Sequence, residues 1–106
     1  MEQLMVHRQG VAGTLESSDI QIMINQNMDN GIEIELSSSV EKQYGQQIRK
    51  VITETLMNLG MENVKLKAQD QGALDCTIKA RTIAAAYRAA NKVSSIDWEG
   101  IEEWNV

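Results

Sequence analysis

Two adjacent hydroxyls, Ser17 and Ser18, stand between two carboxylates, Glu16 and Asp19, in the segment Val11-Ala12-Gly13-Thr14-Leu15-Glu16-Ser17-Ser18-Asp19. A serine oxygen can accept a transferred group, but neither of these has a neighbouring base to activate it as a nucleophile. Polar residues in this order are also turn chemistry, which alone explains a serine pair. The sole histidine, His7, has no second histidine and no nearby cysteine, so it lacks the partners for metal binding or acid–base work. The sole cysteine, Cys76, falls on the apolar side of an alternating stretch and reads as a buried packing residue with a suppressed thiolate. The chain shows no Ser-His-Asp set, no cluster of metal ligands and no glycine-rich phosphate loop. The chemistry on offer is therefore a hydroxyl at an exposed tip.

The elements that must position that tip follow from hydrophobic periodicity. Ile20, Ile22 and Ile24 recur at period two, so the reading is one strand, a tight turn at Ser17-Ser18 and a return strand. Asn25 to Gly31 reads as a second turn. Ile32-Glu33-Ile34-Glu35-Leu36 alternates apolar in and acidic out, a third strand expected to pair with the second as a meander. Ser38 precedes Glu41 at capping-box spacing and opens a helix. Its apolar stripe runs through Val40, Tyr44, Ile48, Val51, Ile52, Thr55, Leu56 and Leu59 and stops at Gly60. Val64-Lys65-Leu66-Lys67-Ala68 is a fourth strand, and Asp70-Gln71-Gly72 a turn. Leu74 to Ala80 alternates again and reads as a fifth strand. Thr82 to Ala90 is alanine-rich and helical, with Ile83, Ala86, Tyr87 and Ala90 turned inward.

The expected fold class is α+β, a mostly antiparallel five-stranded sheet with two helices on one face in the order βββαββα. At 106 residues the chain fits one domain, 1–106, with a loose N-terminal arm over 1–9 and a C-terminal tail over 94–106. In that tail Trp98 is expected to dock on the domain and Trp104 to touch a partner. A net charge of −5 disfavours nucleic acid, whose phosphates are held by clustered Lys and Arg. No apolar run approaches the ~20 residues of a membrane-spanning helix, and the N-terminus lacks the pattern of a signal peptide. With a lone cysteine suited to a reducing compartment, the expected location is cytoplasmic.

Three stretches carry a resemblance: Val11-Ala12-Gly13-Thr14-Leu15-Glu16-Ser17, Ser39-Val40-Glu41-Lys42-Gln43-Tyr44-Gly45 and Gly72-Ala73-Leu74-Asp75-Cys76. In this order they resemble the acyl carrier protein, or γ chain, of bacterial citrate lyase. The resemblance implies that the serine after Gly-Thr-Leu-Glu, here Ser17, bears phosphoribosyl-dephospho-coenzyme A through a phosphodiester. It implies a non-catalytic subunit that carries acetyl and citryl thioesters while citrate is cleaved to oxaloacetate and acetate. The implied partners are the alpha (acyl transferase) and beta (citryl lyase) subunits, the holo-carrier synthase and an acetylating ligase. Glu16 and Asp19 beside the attachment point would repel a free phosphate. Ordinary four-helix acyl carriers differ, since their serine begins a helix in an Asp-Ser-Leu motif. The carrier subunit of malonate decarboxylase is the nearer alternative. An acidic interaction module docking through Trp98 and Trp104 is the alternative from another class.

Overall fold

The computed structural model describes residues 4–92, so Trp98, Trp104 and the tail 94–106 lie outside the described residues. The elements are β1 (Gly10–Ala12), β2 (Ile20–Gln26), β3 (Ile32–Ser38), α1 (Glu41–Asn58), β4 (Val64–Asp70) and α2 (Asp75–Ala89). The fold class is α+β as expected, but the sheet has four strands, in the order β1-β2-β4-β3. Ile20, Ile22 and Ile24 of β2 and Val64, Leu66 and Ala68 of β4 are all buried on one face. Both helices cover that face, α1 over β3 and α2 over β1 and β2.

The expected meander does not form. β4 lies between β2 and β3, antiparallel to the first and parallel to the second. The outward residues account for this. Glu33 faces Lys65 and Glu35 faces Lys67, pairing opposite charges across neighbouring strands. Against β2 the two glutamates would meet residues such as Met23 and Asn25, which offer no cation. The Lys65–Glu33 ion pair, at 3.9 Å, joins half-exposed side chains and contributes ~0–1 kcal/mol, so its effect is on register more than stability. The loop from β2 to β3 crosses the start of β4, where Gly31 N donates to Asn63 Oδ1 at 3.0 Å and Val64 N to Gly31 O at 3.0 Å.

α1 buries the expected stripe from Ile48 through Val51, Ile52, Thr55 and Leu56 to Leu59, whereas Tyr44 stays half exposed. Full burial of an Ile52 or Leu56 side chain contributes about 1.5–3 kcal/mol. Ser38 is not the cap of the helix. The N-cap residue is Val40, and Ser38 Oγ instead accepts from Val40 N at 3.1 Å and donates to Asp70 Oδ2 at 2.8 Å.

The fifth strand is a correction too: residues 75–80 are the first turns of α2. Alternation over seven residues fits a short strand, but Ile78, Thr82, Ala85, Ala86 and Ala89 continue one another at helical spacing and are all buried. As a result Leu74 and Cys76 are exposed, and the expected burial of Cys76 is wrong. Small side chains on α2 let β1 approach closely. A Cβ at Gly10 would collide with the Ala85 carbonyl. The N-cap of α2 is Leu74, in an extended conformation and without a side-chain hydrogen bond. Leu74→Ser should supply the missing acceptor and raise stability by ~1 kcal/mol in urea titration.

The N-terminal arm is docked over its described part, contrary to expectation. Leu4 is buried, and its N donates to Leu59 O at 3.2 Å. His7 N and Arg8 N both donate to Ala89 O, at 2.8 and 3.0 Å. These bonds satisfy carbonyls at the two helix C-termini, which have no partner within their own helix. His7 serves here through its backbone.

Candidate functional site

β1 stops at Ala12, so residues 13–19 form a loop where the sequence suggested the end of a strand. Gly13 turns the chain at φ 89, and a Cβ there would collide with the Ile20 carbonyl. The loop is then gathered by one carboxylate. Asp19 Oδ2 accepts from Thr14 N at 3.1 Å and from Thr14 Oγ1 at 2.7 Å. Asp19 Oδ1 accepts from Ile20 N at 2.7 Å. From α2, Arg81 adds a two-point clamp, Nε to Oδ1 at 3.0 Å and Nη2 to Oδ2 at 3.3 Å. Thr14 Oγ1 in turn accepts from Glu16 N at 3.2 Å, which fixes the residue before the serines.

Asp19 is buried, and Arg81 with Thr14 holds its carboxyl well below the usual carboxylate range. Desolvation opposes the shift and the Ile20 N–H adds to it. The expectation that Asp19 presents a repelling charge at the tip is therefore corrected: its charge points inward and is compensated. Glu16 remains exposed.

The tip itself is a β-turn closed by Asp19 N donating to Glu16 O at 3.1 Å. Ser17 and Ser18 occupy its two central positions, as the sequence suggested. Ser18 has φ 66, so only the second central residue is left-handed, the type II pattern. Backbone bonds to the β4–α2 loop hold this side of the turn: Ser18 N donates to Gln71 O at 2.8 Å and Gln71 N to Asp19 O at 2.9 Å. That loop is itself fastened by buried Asp70, whose carboxylate accepts from Gly72 N at 3.1 Å and Ala73 N at 3.0 Å. Ser17 is exposed, and its hydroxyl makes no hydrogen bond to a described residue.

The geometry thus presents two adjacent exposed hydroxyls on a fastened loop, those of Ser17 and Ser18, neither engaged by a described residue. The sequence singles out Ser17 and Ser18 as the tip, which is where the structure places them, but not Thr14 and Arg81, which hold the loop. The spacing Thr14-x4-Asp19 was visible, but Arg81 was hidden by the misread strand that ended at Ala80. Among the described residues no cluster of three or more His, Cys, Asp or Glu side chains forms a metal site. No helix among them is long and apolar enough to cross a membrane.

Residues 7–89 match the family model described as malonate decarboxylase delta subunit (MdcD), an acyl carrier family. The citrate lyase acyl carrier protein of Streptococcus mutans is 56% identical over 100 residues, covering 94% of this chain and 97% of its own. Those of Lacticaseibacillus casei and Lactobacillus helveticus are 61% identical over 93 residues and 64% identical over 89. They cover 88% and 84% of this chain and 90% and 91% of their own. A chain of a Pseudomonas malonate decarboxylase hetero-tetramer, solved with malonate, superposes with a TM-score of 0.61 over 86% of this chain and 88% of that one. At 11% identity that likeness speaks for the fold alone.

Proposed function

The chain belongs to the citrate lyase acyl carrier proteins, and on that premise we propose that it is the acyl carrier subunit of a citrate lyase complex, with phosphoribosyl-dephospho-coenzyme A joined through a phosphodiester to Ser17 Oγ. One observation supports Ser17 over Ser18, whose hydroxyl is equally exposed and unengaged: Ser18 is left-handed and its N–H is bound to Gln71 O, whereas no hydrogen bond to a described residue holds Ser17. The tip also suits a covalent bond better than a bound phosphate, since Arg81 is committed to Asp19. When attached, the group supplies a long tether ending in a thiol that holds acyl units as thioesters. The chain's own contribution is mechanical. Asp19, Thr14 and Arg81 fix the loop, so the tether starts from a defined point on a rigid body. Tethering raises effective concentrations at neighbouring active sites to the order of mM, and no catalytic side chain is needed on the carrier.

The partners proposed are the alpha and beta subunits, the holo-carrier synthase and the acetylating ligase. Identities of 56–64% over nearly the whole chain favour citrate lyase over malonate decarboxylase, whose solved relative shares 11%. Mass spectrometry of the protein taken from its native host tests the reading. A mass increase on the peptide bearing Ser17 is expected. An unmodified peptide in a host with an active synthase would instead favour an interaction module.

A further inference from the structure

Both helices that begin near the Ser17 tip start on apolar residues where a hydrogen-bonding side chain would serve the helix better. The N-caps are Val40 for α1 and Leu74 for α2, and neither makes a side-chain capping bond. Ser, Thr, Asp and Asn are the residues preferred at such a position. Val40 and Leu74 line a single groove of about 440 Å³ with Tyr44, Ile48, Ala73 and Ile78. Leu74 is 70% exposed and Tyr44 49%, so the core does not account for either. A local rule broken twice around one cleft points to binding at that cleft.

Topology sets the groove beside the tip. The carboxyl ends of parallel β3 and β4, the starts of α1 and α2, and the 16–19 turn share one end of the sheet. Ligands of open α/β sheets gather at such an end. Gln71, whose carbonyl accepts from Ser18 N, leads directly into Gly72, Ala73 and Leu74 of the groove wall. Three residues of chain reach at most roughly 10 Å.

We propose that this groove shelters the prosthetic arm between its visits to partner active sites. The inference rests on the Ser17 reading above. An arm of the pantetheine type alternates methylene stretches with amides. The walls formed by Val40, Tyr44 and Leu74 suit the methylenes. Asp75 opens α2 at the groove, and the N–H groups of that first turn, which no capping side chain satisfies, suit the amide carbonyls. The volume of 440 Å³ falls within the ~300–1,000 Å³ usual for small-molecule sites. Exposed walls keep the hold weak, as a carrier that must release its arm requires.

The test uses the full chain with Cys76→Ser, so that the arm bears the sole thiol, loaded by the synthase and verified by mass at Ser17. Backbone amide resonances of Val40, Tyr44 and Ala73 should shift on loading. The arm thiol should alkylate about threefold more slowly than in the Tyr44→Ala/Leu74→Ser variant, the protection given by an arm sheltered about two-thirds of the time. Both substituted side chains are exposed, and a cooperative melt of the variant confirms that it folds. Loading at Ser17 with shifts confined to residues 16–19 and Gln71, and equal alkylation rates, overturns the groove and leaves the attachment site standing. Groove shifts that arise only after the catalytic subunits are added overturn it in favour of a docking surface. Failure to load Ser17 overturns both.

Discussion

Ser17→Ala is expected to show no mass increase with the synthase and prosthetic-group precursor, and to give a lyase complex without activity, whereas Ser18→Gly is loaded in full. The two hydroxyls are adjacent, so the backbone around each must carry the distinction. Ser18 sits in the left-handed region at φ 66, and its N–H is bound to Gln71 O. Its side chain therefore leaves a backbone pinned to the β4–α2 loop. Ser17 is the first central residue of the turn, exposed and with its hydroxyl unengaged. Glycine is the comparator at position 18 because it adopts positive φ without steric cost. Alanine at the exposed position 17 should change stability by less than ~0.5 kcal/mol, so failure to load cannot be blamed on unfolding. Thermal melts of both variants check that point. Loading of Ser17→Ala but not of Ser18→Gly would place the arm one residue later than the Gly-Thr-Leu-Glu pattern implies.

The parts of the fold legible in sequence were those with long, unambiguous periods. Eighteen residues of α1 repeat their apolar stripe, and the inward faces of β2 and β4 alternate without a break. The tip was legible because four consecutive polar residues between apolar runs leave little but a turn. Pairing was harder, since Ile32, Ile34 and Leu36 would serve a strand beside β2 or beside β4 equally well. The deciding contacts, Glu33 with Lys65 and Glu35 with Lys67, join residues 32 apart and lie on the solvent face. Residues 74–80 failed for another reason: Leu74, Cys76, Ile78 and Ala80 satisfy period two, and the helical alternative shows only once the stripe is followed past Thr82. That error hid Arg81, and with it the fact that Asp19 faces inward. A single misassigned segment thus concealed the polar half of the site.

Asp19→Asn is expected to destabilise the protein at neutral pH by about 2–3 kcal/mol. This lies between the ~0–1 kcal/mol of exposed ion pairs and the 3–5 kcal/mol lost on breaking buried ones. The intermediate figure follows from exposure, since the Asp19 side chain is 13% accessible and that of Arg81 42%. Asparagine matches the shape but places an NH₂ among the donors Thr14 N, Ile20 N and Arg81, so one contact becomes donor against donor. Arg81→Ala should cost less, about 1–2 kcal/mol, because Asp19 keeps its bonds to Thr14 and Ile20. The pH dependence distinguishes this clamp from simple packing. The folded carboxyl titrates below its unfolded value, so its stabilisation is complete above the ~3.9 of a free aspartate. It is lost as pH falls through the acid range beneath that. Urea midpoints should therefore show a constant gap between wild type and Asp19→Asn from about pH 5 to 7, narrowing below about pH 4. A gap that persists unchanged to about pH 2 would mean that shape, not charge, holds the loop. Equal stability at neutral pH would remove the clamp altogether, and with it the reason Ser17 is held on a fixed base.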